Sequence, residues 1–154
     1  MNLVTVFNYK EQDQRANTLL CVWLHQVNLY AHGFNVYVVA GDNNFSKHTQ
    51  NYISKCNNIN VIKVSGNYNP RKYNVSDLDE DFHINFNAYN VLTFGKKLNQ
   101  PIIYMDLDAI LFHNLHDWWK HIHTKPFIGF PHLPMSGKLN AGVYSISDWD
   151  FISF

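Results

Sequence analysis

Four short, mainly apolar runs alternate with segments of helical character, and this alternation limits the folds open to the chain. The runs cover residues 3–7, 35–40, 59–64 and 101–105, and apolar positions at helical spacing lie between the first two, from Ala16 to Tyr30. Apolar runs of this length are typical of strands that are covered on both faces, as in a parallel sheet. The pattern predicts an α/β, Rossmann-like fold with a mostly parallel central sheet and helices on both faces.

The other elements are predicted from caps and periodicity. We expect a short helix over 46–56, a helix over 85–98, a short helix around 117–119, and strands at 127–130 and 142–146. The polar segment 65–81 contains a proline and ends in acidic residues, which is typical of a solvated loop. No linker or internal repeat interrupts the 154 residues, so a single domain over 1–154 is predicted.

Composition excludes several classes of partner. Twelve Lys and Arg residues balance twelve Asp and Glu residues, which leaves no electrostatic basis for binding nucleic acid or an anionic membrane. No apolar stretch is long enough to cross a membrane, and the first residues lack the basic and apolar parts of a signal peptide. We therefore expect a cytoplasmic protein without a membrane span, and its oligomeric state is not indicated.

The pair Asp106 and Asp108 directly follows the apolar run 101–105. In an extended segment residues i and i+2 point to the same side, so both carboxylates can face one ligand. Neighbouring carboxylates resist joint ionisation unless a cation lies between them. Mn²⁺ or Mg²⁺ accepts such oxygen ligands and keeps open positions for diphosphate oxygens. The alternative is an ordinary surface turn after a strand, where aspartate is common.

In open α/β sheets ligands bind beyond the carboxyl ends of the strands. The loops 8–10, 41–44 and 106–108 all lie at such ends. We therefore expect the binding site to be built by these three loops.

Residues 104–119, YMDLDAILFHNLHDWW, are followed by LNAGVY at 139–144. Together these segments resemble the DxD region and the Asn-(Ser/Ala)-Gly-Val strand of GT-A glycosyltransferases, nearest in pattern to the glycogenin and galactinol-synthase-like family. The resemblance implies a hexosyltransferase that uses Mn²⁺ (or Mg²⁺) and a nucleotide-sugar donor, with UDP favoured. It also implies a hydroxyl acceptor on a glycan or protein, and retention of anomeric configuration.

Site residues follow from the same resemblance. Asp106 and Asp108 would bind the metal, and Asp106 would also lie near the ribose. The nucleobase would be bordered by Phe7, Asn8 and Tyr9, with Asp42 a weaker candidate, and the donor sugar would be contacted by Asn140, Ala141 and Gly142. The alternative for Phe7 and Tyr9 is plain packing, and for Asn140 it is a turn residue before a strand.

The chain departs from the family in two ways. The family often carries a lysine sixteen residues before the first aspartate, where this chain has Asn90, an amide that can hydrogen-bond a sugar or phosphate but adds no charge. Arg71 and Lys72 could reach phosphate from the long loop. The relatives also continue beyond this point, with an Asp/Gln segment and a metal-binding histidine, so no catalytic residue and no third metal ligand can be assigned.

Two other functions remain open. One is a catalytically incomplete module that binds a sugar nucleotide without transferring the sugar. The other is a phosphatase of the haloacid-dehalogenase type, which also places Asp-x-Asp after a strand. That class needs a small residue and a threonine next, whereas Ala109 and Ile110 follow here.

Overall fold

The computed structural model describes residues 1–9, 11–41, 45–64, 79–131 and 139–150. Its strands form one six-stranded sheet in the order β3-β2-β1-β4-β6-β5. The strands are β1 (Asn2–Phe7), β2 (Asn35–Ala40), β3 (Ile59–Lys63), β4 (Ile102–Met105), β5 (Phe127–Pro131) and β6 (Leu139–Ile146).

The helices are α1 (Gln14–Tyr30), α2 (Lys47–Ile53), α3 (Asp79–Leu98) and α4 (His116–His121), and a 3-10 turn at Ile122–Thr124 follows α4. Side-chain caps define two of the starts. The Asp13 carboxylate accepts a hydrogen bond from the Ala16 amide at 2.9 Å, and the Ser46 hydroxyl accepts one from the Thr49 amide at 3.2 Å. Each cap satisfies a backbone N–H that has no partner inside its helix.

The sheet is mostly parallel, as the sequence predicts. Strands β1 to β4 run parallel to one another, whereas β6 pairs antiparallel with both β4 and β5. Strand β1 lies between β2 and β4, so the chain builds the sheet outward from β1 first in one direction and then in the other. Such a reversal opens a crevice at the carboxyl ends of the two strands that flank it.

Helices cover both faces of the sheet, which confirms the predicted α/β layering. Alternate residues of β1 divide between two cores, since successive side chains of a strand point to opposite faces. Leu3 and Phe7 pack with α1 on one face. Val4 and Val6 belong to the other core, which includes Val91 of α3.

Three predicted boundaries are wrong, and the first is the end of α2, which the sequence predicts at residue 56 and which lies at Ile53. Helix α3 begins at Asp79, inside the segment 65–81 that the sequence predicts to be a loop. The backbone of Asp79, Glu80 and Asp81 forms the first turn, a position of a helix where acidic residue types are favoured. Strand β6 begins at Leu139 instead of Gly142, so the backbone of Asn140 is inside a strand and not in a turn before it.

No helix in the described ranges combines the length and the hydropathy needed to cross a membrane.

Candidate functional site

A cavity of about 560 Å³ opens at the carboxyl ends of β1 and β4. Three parts of the chain line it: the end of β1 with the loop and first turns of α1, one residue of α3, and the segment after β4. The lining residues are Val6, Tyr9, Asp13, Arg15, Ala16, Leu19, Asn87, Asp106, Leu107 and Asp108. The cavity therefore lies at the reversal of strand order.

Strand pairing brings the carboxylate pair to this place. In the β1–β4 register, Leu3 pairs with Ile103 and Val4 with Tyr104, so Val6 lies close to the residue that follows β4, Asp106. On the other side of β4, the Asp106 amide donates a hydrogen bond to the Gly142 carbonyl at 2.7 Å. The two segments that carry the family resemblance are thus adjacent in space.

Asp106 and Asp108 line the same cavity, but not because the backbone between them is extended. The Ala109 amide donates to the Asp106 carbonyl at 3.1 Å, which closes a turn over residues 106–109. Asp106 is half-buried and Asp108 is exposed. The common facing that the sequence predicts is present, whereas the i, i+2 strand geometry invoked for it is wrong.

The Asp106 carboxylate is held by a buried phenol. The Tyr104 hydroxyl donates a hydrogen bond to Asp106 Oδ1, and the Asn87 side chain lies close to the same hydroxyl. Tyr104 is only 2% exposed, and its burial together with the Asp106 charge raises its pKa well above the usual range. The phenol therefore stays neutral and acts as a fixed donor to the carboxylate.

The electrostatics of the cavity favour a cation. Burial raises the pKa of Asp106, and the charge of Asp108 raises it further, while the hydrogen bond from Tyr104 opposes the shift. Burial also raises the pKa of Tyr9, to which the charges of Asp106 and Asp108 add. A cation between the two carboxylates would relieve the part of these shifts that comes from charge repulsion.

Carboxylate oxygens are the ligands that Mn²⁺ and Mg²⁺ prefer, and both carboxylates face one cavity, so this pair fits such an ion. Elsewhere in the described ranges, as at this site, no group of three or more His, Cys, Asp or Glu side chains is placed to hold a metal. An ion here would take its remaining ligands from water or substrate.

Of the other predicted residues discussed next, only Tyr9 lines the cavity. Tyr9 lines the cavity, whereas Phe7 is fully buried and packs behind Tyr9, with ring centroids 5.6 Å apart. Asn8 is half-buried and outside the lining, and its amide nitrogen is buried with no hydrogen-bond partner among the described residues. Asn90 is 6% exposed and also outside the lining. Asp42 lies outside the described residues.

Six residues of the lining lie outside the predicted loops and site residues: Val6, Asp13, Arg15, Ala16 and Leu19 from β1 and the α1 region, and Asn87 of α3. The sequence held a partial signal for one of them. Asn87 lies three residues before Asn90, which places both amides on one helix face. The position of the family lysine corresponds to Asn90, which is buried outside the lining, whereas Asn87 lines the cavity.

No protein-family model matches the chain, and no curated protein matches its sequence. Solved structures match its fold. The galactosyltransferase LgtC, in complex with donor and acceptor sugar analogs, matches with a TM-score of 0.68 at 19% identity, covering 96% of this chain and 58% of that one. Mouse xyloside xylosyltransferase 1 in its apo form matches with a TM-score of 0.61 at 11% identity, covering 96% and 67%.

A cytidylyltransferase from Leptospira borgpetersenii serovar Hardjo-bovis matches with a TM-score of 0.55 at 13% identity, covering 97% and 60%. The chain thus has a GT-A-like glycosyltransferase fold and spans less than two thirds of LgtC. At these identities the likeness concerns the fold alone, and a closer kinship with the glycogenin-like family stays a prediction.

Proposed function

We propose that the chain binds a nucleotide-sugar donor, UDP-linked by preference, through a divalent ion held by Asp106 and Asp108. The sugar is then transferred to a hydroxyl of a glycan or protein acceptor. One observation carries this proposal: two carboxylates line a single cavity at the switch point of a GT-A-like sheet. The hydrogen bond from the Asp106 amide to the Gly142 carbonyl adds to it, because it sets the predicted sugar-contacting segment beside that pair.

The cavity suits such a donor in size and lining. Ligand pockets in proteins typically measure about 300–1,000 Å³ and combine apolar walls with a few polar groups. Here Leu19 and Leu107 supply apolar wall, Tyr9 supplies an aromatic ring for the base, and the carboxylates supply the charged end. A bound Mn²⁺ or Mg²⁺ would neutralise negative charge that develops on the departing nucleoside diphosphate.

Asn140 and the backbone of Ala141 and Gly142 are proposed to contact the donor sugar, and Asn90 stays a weaker proposal because it is buried outside the lining. For the phosphatase alternative we find no supporting observation.

Thermal unfolding with Mn²⁺ alone, UDP alone and both together tests the proposal. We expect a rise in Tm only when both are present, because the diphosphate completes the coordination of the ion. A ligand at 100 times its Kd stabilises by about 2.7 kcal/mol, which corresponds to roughly 5–10 °C for a protein of this size. UDP should give a larger rise than ADP, CDP or GDP.

The absence of a metal-dependent rise with every nucleoside diphosphate would contradict the proposal. Binding and turnover are separated by a second assay of UDP-sugar hydrolysis and transfer. Metal-dependent binding with neither reaction would identify a binding module instead of an enzyme.

Tyr104→Phe removes the hydroxyl that holds Asp106 and is expected to weaken binding of Mn²⁺ with UDP about ten-fold. Hydrogen bonds to charged groups are worth roughly 1.5–3 kcal/mol, and water replaces part of this one. The matched control is Tyr144→Phe. Tyr144 is also buried, its ring centroid lies 4.8 Å from that of Tyr104, and no hydrogen bond to Asp106 is found for it among the described residues.

The free Mn²⁺ signal in electron paramagnetic resonance, followed during titration with UDP present, measures the affinity of each variant. The control should stay within about two-fold of wild type, because it loses the same atom without losing the bond. Equal weakening by both substitutions would assign the effect to packing of the two phenols and not to the bond on Asp106.

A further inference from the structure

The described lining of the cavity carries more negative than positive charge. Asp13, Asp106 and Asp108 contribute three carboxylates, whereas Arg15 is the single cationic residue of the described lining. Its side chain is exposed, and it makes no ion pair or side-chain hydrogen bond with the described residues. Within the described part of the chain, no residue therefore competes with an incoming ligand for the guanidinium.

Asp13 Oδ1 accepts the hydrogen bond of the Ala16 amide at the start of α1, and no ion pair joins Asp13 to Arg15. Arg15 lies one helical turn before Leu19, so both side chains share the face of α1 that borders the cavity. The positive charge of Arg15 also lowers the pKa of Tyr9, while Asp106 and Asp108 raise it. Arg15 thus lies within electrostatic reach of the same ring as the carboxylate pair.

A nucleoside diphosphate would bring further negative charge into this acidic lining. One divalent ion compensates two charges, and the position equivalent to the family lysine is a neutral amide, Asn90, outside the lining. Guanidinium groups bind phosphate oxygens through two parallel N–H donors and keep their charge at every relevant pH.

We infer that Arg15 binds the diphosphate of the donor, supplying on α1 the positive charge that the α3 position lacks. This inference rests on the proposed function and assigns the phosphate contact to a residue of this chain. The contact of Arg15 involves the phosphates and not the base, so the two parts of the ligand can be tested separately.

The test compares Arg15→Gln with Lys47→Gln. Lys47 is likewise an exposed cation in the first turn of a helix, α2, but it does not line the cavity. Both substitutions remove one positive charge from a helix start, so their effects on helix stability are matched. Binding of UDP in the presence of Mn²⁺ is measured by calorimetry, and binding of uridine is measured by ligand-observed NMR.

We expect Arg15→Gln to weaken UDP binding about ten-fold, as is typical for loss of a charge-assisted hydrogen bond, and to leave uridine binding unchanged. Lys47→Gln should leave both unchanged. Equal weakening of UDP and uridine by Arg15→Gln would overturn the inference, as would wild-type UDP affinity in that variant or an equal loss in the control. Failure of the wild-type protein to bind UDP would instead overturn the proposed function, and this inference with it.

Discussion

Asp108→Asn is expected to abolish the rise in Tm that Mn²⁺ and UDP produce together, while the Tm of the unliganded protein stays close to wild type. The amide keeps the size of the side chain but removes the charge and one anionic oxygen, and a hard divalent ion binds the neutral group far more weakly. Asp108 is exposed, so the substitution takes away little packing. Loss of binding without loss of stability is the expected signature.

Asp150→Asn is the matched control. Asp150 is an exposed carboxylate near the other end of β4, since its neighbour Trp149 donates from Nε1 to the Gln100 carbonyl, just before that strand begins. Its substitution should leave the full rise in Tm. A rise that survives in Asp108→Asn, or that is lost in both variants, would contradict the metal role assigned to Asp108. Differential scanning fluorimetry measures the Tm of wild type, Asp108→Asn and Asp150→Asn with and without Mn²⁺ and UDP.

The strands and the carboxylate pair could be predicted from sequence because each depends on local pattern. A strand that is covered on both faces shows its burial directly as an apolar run, as at residues 3–7 and 102–105. The place of Asp106 then follows from a general rule about strand ends. The backbone between Asp106 and Asp108 forms a turn and is not extended as predicted, but both side chains still line one cavity.

The rest of the lining could not be predicted because it depends on how helices are rotated against the sheet. Arg15 and Asn87 come from two helices on opposite faces, and no pattern within either helix shows which turn reaches the cavity. The start of α3 was missed for another reason. An acidic run is compatible both with a solvated loop and with a first helical turn, and the sequence alone does not separate the two.

Gly95→Ala is expected to destabilise the protein by about 1–3 kcal/mol, the usual range for overpacking a core. In an ordinary helix interior the same change stabilises by roughly 0.5–1 kcal/mol, so the sign itself is the test. A Cβ on Gly95 would lie 2.0 Å from Cη2 of the Trp149 ring. That ring is 4% exposed and is tied by its hydrogen bond to the Gln100 carbonyl at 2.8 Å, so it cannot easily move away.

A double-mutant cycle with Trp149→Phe separates this clash from any other effect. The smaller ring leaves room for the methyl group, so Gly95→Ala should cost less in the Trp149→Phe background than in wild type. Urea unfolding of the four proteins gives the coupling free energy. The steric explanation fails if Gly95→Ala stabilises the protein, or if its cost is the same in both backgrounds.

The same double-mutant cycle also tests whether the packing of α3 affects the functional site. Asn87 precedes Gly95 by eight residues, about 12 Å along the helix axis, and its side chain lies close to the hydroxyl that holds Asp106. If α3 shifts to relieve the clash with Trp149, the contact between Asn87 and this hydroxyl is disturbed as well. Gly95→Ala should then also weaken binding of Mn²⁺ with UDP, and the Trp149→Phe background should restore part of it. Restoration of stability without restoration of binding would show that the packing of α3 against Trp149 does not position Asp106.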